Sequence, residues 1–361
     1  MIKKFAHVFY GPPVLAASLT LGFWLCCGLT ATVALAAADE KFKALPEGFL
    51  AGPALVNQGG NLLAGRGLAE AMAAAGKEGP AANRGVFGAM SFGRSSYETD
   101  AKVDDAGSKL DMDGLSLLTG LAYGLDSDLG LLTVGSFLEF GRGSYDTRNN
   151  FDKAPSVSGE GGVRHWGGGI LGRLDFADTG PGRFYAESSF RGGALHQDYR
   201  SGNLPGLEYE SDSNYYGLYL GPGYVTKFEN FSFDFYGKYF WTRVDGDSAT
   251  LSTGESVNFG GVTSSRLRPG GRLGYDMSES LTPYIGAAYE LELAGHSHAT
   301  IYGEDIDSPT LRGVTGVTGV WELGLNFKPS PARPLSLDLG LEGSVGQKEG
   351  VAGSLQVKWE F

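Results

Sequence analysis

Three arginines, Arg266, Arg268 and Arg272, share one face of the segment 264–277, and five carboxylates, Glu290, Glu292, Glu322, Asp338 and Glu342, occupy the equivalent face of the segments that follow. Opposite charges gathered on faces that turn toward a common interior can pair there, and leaving any of them unpaired away from water would be costly. A water-filled interior with separately solvated charges would give the same facing. Arg66 and Glu70 lie four residues apart on a candidate helix. They form either an exposed ion pair of small value or further partners for the charges on the strands. Signals for other chemistry are weak. His296 and His298 share a face beside a loop with Asp305 and Asp307, without a His-x-x-Glu-His run or a cysteine pair to make a metal site. His165 and His196 have no Ser and Asp at a readable spacing, and Gly161-Gly162 is not followed by the Lys-Ser/Thr of a phosphate loop. These residues therefore assign no catalytic centre, no metal and no cofactor, and the expectation is a protein that is not an enzyme.

From Arg84 onward the hydrophobic pattern has period two. Phe231, Phe233, Phe235, Tyr239 and Trp241 alternate with Ser232, Asp234, Lys238 and Thr242, while Leu335, Leu337, Leu339, Leu341 and Val345 alternate with Ser336, Asp338, Gly340, Glu342 and Ser344. Such segments fall at 84–95, 112–125, 129–144, 162–177, 183–199, 214–227, 231–244, 264–277, 281–294, 314–327, 335–346 and 350–361. Each exceeds the roughly 9–11 residues that a tilted strand needs to cross a bilayer, about twice the length of ordinary soluble strands. The connections after the second, fourth, sixth, eighth and tenth segments are short. Those after the odd ones up to the ninth are long and polar, as at 146–161, 198–213, 245–262 and 295–313. This alternation predicts an all-β fold, a 12-stranded antiparallel transmembrane barrel with short turns at one end and loops at the other. A closed barrel is the sheet that leaves no unpaired backbone in lipid.

Ahead of the strands, Asn61 to Ala75 shows helical spacing through Leu62, Leu63, Leu68, Ala69 and Met72, with Gly76 able to end it. This predicts a helix over 61–75, lodged in the barrel lumen, preceded by a linker over 39–58. Lys3 and Lys4, an apolar run from Val14 to about Val33 and small residues ending at Ala38 form a signal peptide over 1–38, with cleavage near Ala36 to Ala38. Both cysteines, Cys26 and Cys27, fall within it, so the mature chain would carry none. With 29 basic against 41 acidic residues the chain is acidic, which argues against nucleic acid as a partner. Its 58 glycines lack the every-third-residue spacing of collagen, and 42% hydrophobic content excludes a disordered chain.

The stretch Ser265-Arg266-Leu267-Arg268-Pro269-Gly270-Gly271-Arg272-Leu273-Gly274-Tyr275, the later Pro283-Tyr284-Ile285 and Ala288-Tyr289-Glu290, and the ending Gly340-Leu341-Glu342-Gly343 through Gly353-Ser354-Leu355-Gln356-Val357-Lys358-Trp359-Glu360-Phe361 resemble the translocator domain of autotransporters, the type V secretion proteins. The resemblance covers roughly 59–361. It implies a Gram-negative outer-membrane barrel, surrounded by lipid and acting as a monomer, with a helix threaded through the pore toward a passenger at the cell surface. It further implies Sec export, periplasmic chaperones, and an assembly machinery that engages the last strand through Val357, Trp359 and Phe361. About 20 residues separate the cleavage site from the expected helix, where an ordinary passenger has hundreds. The expected function is therefore an outer-membrane translocator anchoring or exporting a short, vestigial N-terminal segment. The alternative is a stand-alone outer-membrane pore or surface adhesin without a passenger.

Overall fold

The computed structural model describes residues 42, 44–67, 84–98, 107–150, 155–177, 180–296, 298–301, 304–307, 315–329 and 335–360. The chain divides into Met1–Phe42 and Lys43–Phe361, and the architecture below is that of the second unit. The signal-peptide reading over 1–38 lies outside the described residues.

Twelve long strands close into one antiparallel barrel: β1 (Arg84–Glu98), β2 (Ser108–Ser127), β3 (Gly130–Asn149), β4 (Val157–Phe176), β5 (Gly182–Ser201), β6 (Glu208–Phe228), β7 (Phe231–Val244), β10 (Val262–Tyr275), β11 (Leu281–His296), β14 (Gly316–Phe327), β15 (Leu335–Gly346) and β16 (Lys348–Glu360). Each pairs with its predecessor in the barrel, and β16 returns to β1 in a register that runs from Gly85 opposite Glu360 to Tyr97 opposite Lys348. No edge is left over, which satisfies the demand that lipid places on backbone N–H and C=O groups. Alternation sorts the side chains. Leu138, Trp166, Ile170, Phe190, Leu220 and Phe235 are exposed on the outside, whereas Phe87, Leu118, Phe137 and Tyr219 are buried within. Where glycine interrupts a strand, an inward ring from the next strand often lies over it. A β-carbon at Gly223 would collide with the ring of Tyr185, and one at Gly324 with that of Tyr284.

Two expectations change. The segments expected as loops at 146–161 and 198–213 are largely strand, because β3 to β6 run on for about 20 residues each. Ladder pairing serves backbone groups in water as well as in lipid, and inward Tyr145, Tyr199 and Tyr209 at these ends are buried. The loops at 245–262 and 295–313 contain β8 (Asp247–Thr250), β9 (Ser256–Phe259), β12 (His298–Ile301) and β13 (Glu304–Asp307), which form a separate four-stranded sheet in the order β13-β12-β9-β8.

The helix also differs from the expectation. α1 spans Leu45–Leu62 and continues as one wider, π-type turn over Leu63–Gly67, so most of the expected linker at 39–58 is helix. Only the first part of the expected 61–75 is described, and Leu68 to Ala75 lies outside the described residues. The sequence of α1 is a poor helix former. Gly48, Gly52, Gly59 and Gly60 each cost about 1 kcal/mol relative to alanine and the internal Pro53 about 3 kcal/mol. Its stability has to come from what surrounds it, since nearly every residue from Leu45 to Val56 is buried.

Candidate functional site: a helix held in the lumen

α1 lies inside the barrel, and the walls grip it at both ends and in the middle. At the long-connection end, Phe49 stacks on Phe259 of β9 with ring centroids 4.9 Å apart, and the Tyr209 hydroxyl donates to the Leu45 carbonyl at 3.2 Å. At the short-turn end, Leu62, Leu63 and Ala64 join Phe87, Leu118, Ala122, Phe137, Leu171 and Phe240 in one apolar cluster. Lys238 donates to the Ala64 carbonyl at 3.0 Å. A lysine on the last carbonyls complements both the orphan acceptors and the negative end of the helix dipole.

Between these ends the fit on the β2–β6 side depends on the absence of side chains. Gly48, Gly52 and Gly59 fall on one helix face. A β-carbon at Gly48 would lie 2.6 Å from Tyr199 and 2.8 Å from the Tyr209 hydroxyl, and one at Gly52 would lie 2.6 Å from Leu195. Arg191 passes over Gly59 and Gly60. It donates to the Val56 carbonyl at 2.6 Å and to Glu139 at 2.9 Å, and Tyr215 donates to the other Glu139 oxygen at 2.7 Å. The complementarity is reciprocal, for Gly114 of β2 makes room for Leu55 and Gln58, and Gln58 donates to the Gly114 carbonyl at 2.9 Å.

The opposite wall carries the charges read from the sequence. Arg268 bonds Glu290 at 2.7 Å and lies 3.6 Å from Glu342. Arg266 reaches Glu290 at 3.4 Å and Glu292 at 3.8 Å, and Arg272 meets Glu322 at 2.5 Å and Asp234 at 3.9 Å. All these groups face the lumen, and the structure joins the three arginines to four of the five carboxylates. Asp338 stands apart from them, accepting from Tyr284 at 3.3 Å and from Asn326 at 3.4 Å. The side chain of Arg66 and the whole of Glu70 lie outside the described residues. The described contacts from α1 to this wall are uncharged on the helix side. Asn57 donates to Ser264 at 3.1 Å and Asn61 accepts from Arg266 at 2.9 Å. A cavity of about 90 Å³ of mixed character remains between α1, this wall and β1, lined among others by Gln58, Asn61, Glu322, Glu342 and Lys348 together with Leu62, Met112 and Val351.

Sequence reasoning passed over the inward charges of the first half of the barrel: Glu139 and Arg191, then Arg173 with Asp175 at 2.9 Å and Glu187 at 3.3 Å, and Tyr219, which donates to Glu187. The signal that could have found them is the same parity, since Glu139 lies between outward Leu138 and Phe140. His165 is buried edge-on to Tyr215 at 5.2 Å, and His196 pairs with Asp212 at 2.8 Å. The side chains of His296, His298, Asp305 and Asp307 lie outside the described ones. In the last strand Val357 and Trp359 point outward, and Phe361 lies outside the described residues.

A closed barrel, apolar outside and polar inside, with a helix hydrogen-bonded along its lumen, defines a plugged transmembrane β-barrel. The sequence model of the Autotransporter beta-domain family matches residues 95–342, and the chain belongs to that family. Its fold is similar to the transport unit of the autotransporter AIDA-I from Escherichia coli, with a TM-score of 0.58 and 16% identity over 77% of this chain and 90% of that one. It is likewise similar to the translocator domain of the autotransporter NalP from Neisseria meningitidis, with a TM-score of 0.57 and 13% identity over 85% of this chain and 98% of that one. The beta domain of the Bordetella autotransporter BrkA gives a TM-score of 0.52 and 15% identity over 76% of this chain and 98% of that one. No curated protein matches by sequence. The protein is an outer-membrane translocator barrel of the autotransporter type, set in lipid.

Proposed function

We propose that this barrel anchors its chain in the outer membrane and presents the N-terminal end of α1 at the cell surface, the lumen serving as the route by which that end arrived. The observation that carries the reading is the direction of the helix. Leu45 and Phe49 pack at the long-connection end, which faces outward in such barrels, and Ala64 is held at the short-turn end. Sec export with removal of residues 1–38, passage with periplasmic chaperones, and insertion by an assembly machinery reading Val357, Trp359 and Phe361 complete the scheme. The family assignment and the outward apolar face of β16 support it. The protein works as a monomer and carries no catalytic activity of its own; the charged groups described in its lumen pair with one another or hold the helix.

An epitope inserted after Lys41 tests the reading. Antibody binding to intact cells is the expected result. Binding only after the outer membrane is permeabilised overturns it. In planar bilayers the protein is expected to conduct weakly, and deletion of residues 45–67 to raise the conductance severalfold.

A further inference from the structure

On the outside of the barrel, at the outer limit of the apolar band, Arg142 of β3 and Arg164 of β4 stand directly opposite each other across the ladder. Both are exposed. Cross-strand neighbours have β-carbons only about 5 Å apart, and like charges in that position repel. Other outward cations at this end have carboxylates within 4 Å: Arg94 with Asp113, Lys109 with Glu98, Arg200 with Glu208, and Arg243 with Asp245. Among the described residues neither Arg142 nor Arg164 has such a partner. Arg148 also lacks one, but it faces Ser158 rather than a second arginine. The groups bordering the pair are already engaged. His196, opposite Arg164, bonds Asp212 at 2.8 Å, and the Asp198 carboxylate accepts the Gly162 N–H at 3.1 Å.

The depth of the pair in the membrane says what would neutralise it. On β3 the outward residues from Leu132 through Val134, Leu138 and Phe140 lead up to Arg142, and on β4 those from Leu174 through Ile170 and Trp166 lead up to Arg164. Ten residues of tilted strand rise about 25 Å, the height of the apolar band of such barrels. The two guanidiniums therefore sit where the headgroups of the outer leaflet begin. Just beneath them Trp166, 69% exposed, and Leu138, 68% exposed, offer a surface for acyl chains. Guanidinium forks match phosphate oxygens in a bidentate manner, and two forks side by side suit a phosphate that bridges them.

We propose that Arg142 and Arg164 form a binding site for a phosphorylated glycolipid of the outer leaflet, with its phosphate between the two guanidiniums and its chains against Phe140, Trp166 and Leu138. The site lies on the lipid face of β3 and β4 and is independent of what the lumen carries.

Native mass spectrometry of the detergent-extracted full chain, titrated with bisphosphorylated lipid A, dephosphorylated lipid A or phosphatidylglycerol, tests the proposal. The unmodified protein is expected to retain one bisphosphorylated lipid A at least tenfold better than either alternative. Arg142→Gln combined with Arg164→Gln should lower that binding at least tenfold, and Arg243→Gln, three strands away on β7, should leave it unchanged. Equal retention of the dephosphorylated lipid or of phosphatidylglycerol by the unmodified protein overturns the assignment, whether or not the variants fold. Undiminished binding by the double variant overturns it as well.

Discussion

On the β2–β6 side of the lumen, side chains of the wall enter spaces left by helix glycines, and Arg191 is held by Glu139 while it holds the Val56 carbonyl. On the β10–β16 side, Arg266, Arg268 and Arg272 are engaged by carboxylates of the wall itself, and α1 touches that network through Asn57 and Asn61 beside an open cavity. The first wall seats the helix; the second holds the barrel together strand to strand and leaves room for water. Buried ion pairs contribute little beyond what their desolvation costs, but breaking one strands a charge. Among the described contacts the second network meets the helix at Arg266, through Asn61, and is otherwise paired within the barrel wall, so it ties strand to strand more than it binds the plug, whereas Arg191 holds a helix carbonyl directly.

Breaking the seating wall should give the largest effect. Arg191→Ala leaves Glu139 buried with Tyr215 and removes the bond to Val56, so the barrel should lose about 3–5 kcal/mol in urea unfolding from lipid vesicles, together with a rise in conductance. A variant that stayed weakly conducting would refute the seating role. Gly48→Leu drives a side chain against Tyr199, Tyr209 and Tyr145 and should cost roughly 1–3 kcal/mol by overpacking, again with a higher conductance. Glu322→Gln on the other wall should separate the two roles. Arg272 keeps Asp234 at 3.9 Å and its position over the Tyr284 ring, so about 1–2 kcal/mol is lost while conductance stays at the plugged level. An opened pore in this variant would erase the distinction between the walls. Asn57→Ala removes one helix-to-wall hydrogen bond to Ser264 and should cost about 0.5–1.5 kcal/mol, visible as more frequent brief openings in single-channel records.

The strands were legible because lipid and lumen impose opposite demands on alternate residues. Segment 231–244 coincides with β7 and 335–346 with β15, and β16 begins two residues before the expected 350. The same parity turned Arg266, Arg268, Arg272 and the later carboxylates inward, but it could not say which carboxylate meets which arginine. Pairing depends on register, and the register of β10 with β11 shifts between Ser265 and Arg266. The start of the helix was missed for a related reason. Alanine and leucine after Asn61 carry a stronger intrinsic helix signal than Leu45-Pro46-Glu47-Gly48 and the residues after it, yet the described helix begins at Leu45 and runs through that weaker stretch before it reaches Asn61. Intrinsic propensity is worth about 1 kcal/mol per residue, and a lumen that encloses nearly every helix residue outweighs it.

By itself the sequence determined the barrel, its strand count, the end at which the short turns lie and the side of the sheet on which each residue falls, since all of these follow from a period of two and the turns that interrupt it. The tertiary structure alone decided where the helix begins, which wall holds it and how the outer loops fold into a second sheet. Those outcomes rest on contacts between residues far apart in the chain, as with Arg191 and Val56 or Phe49 and Phe259. No local pattern encodes such contacts, and here they reward the glycines and the proline that local preference would reject.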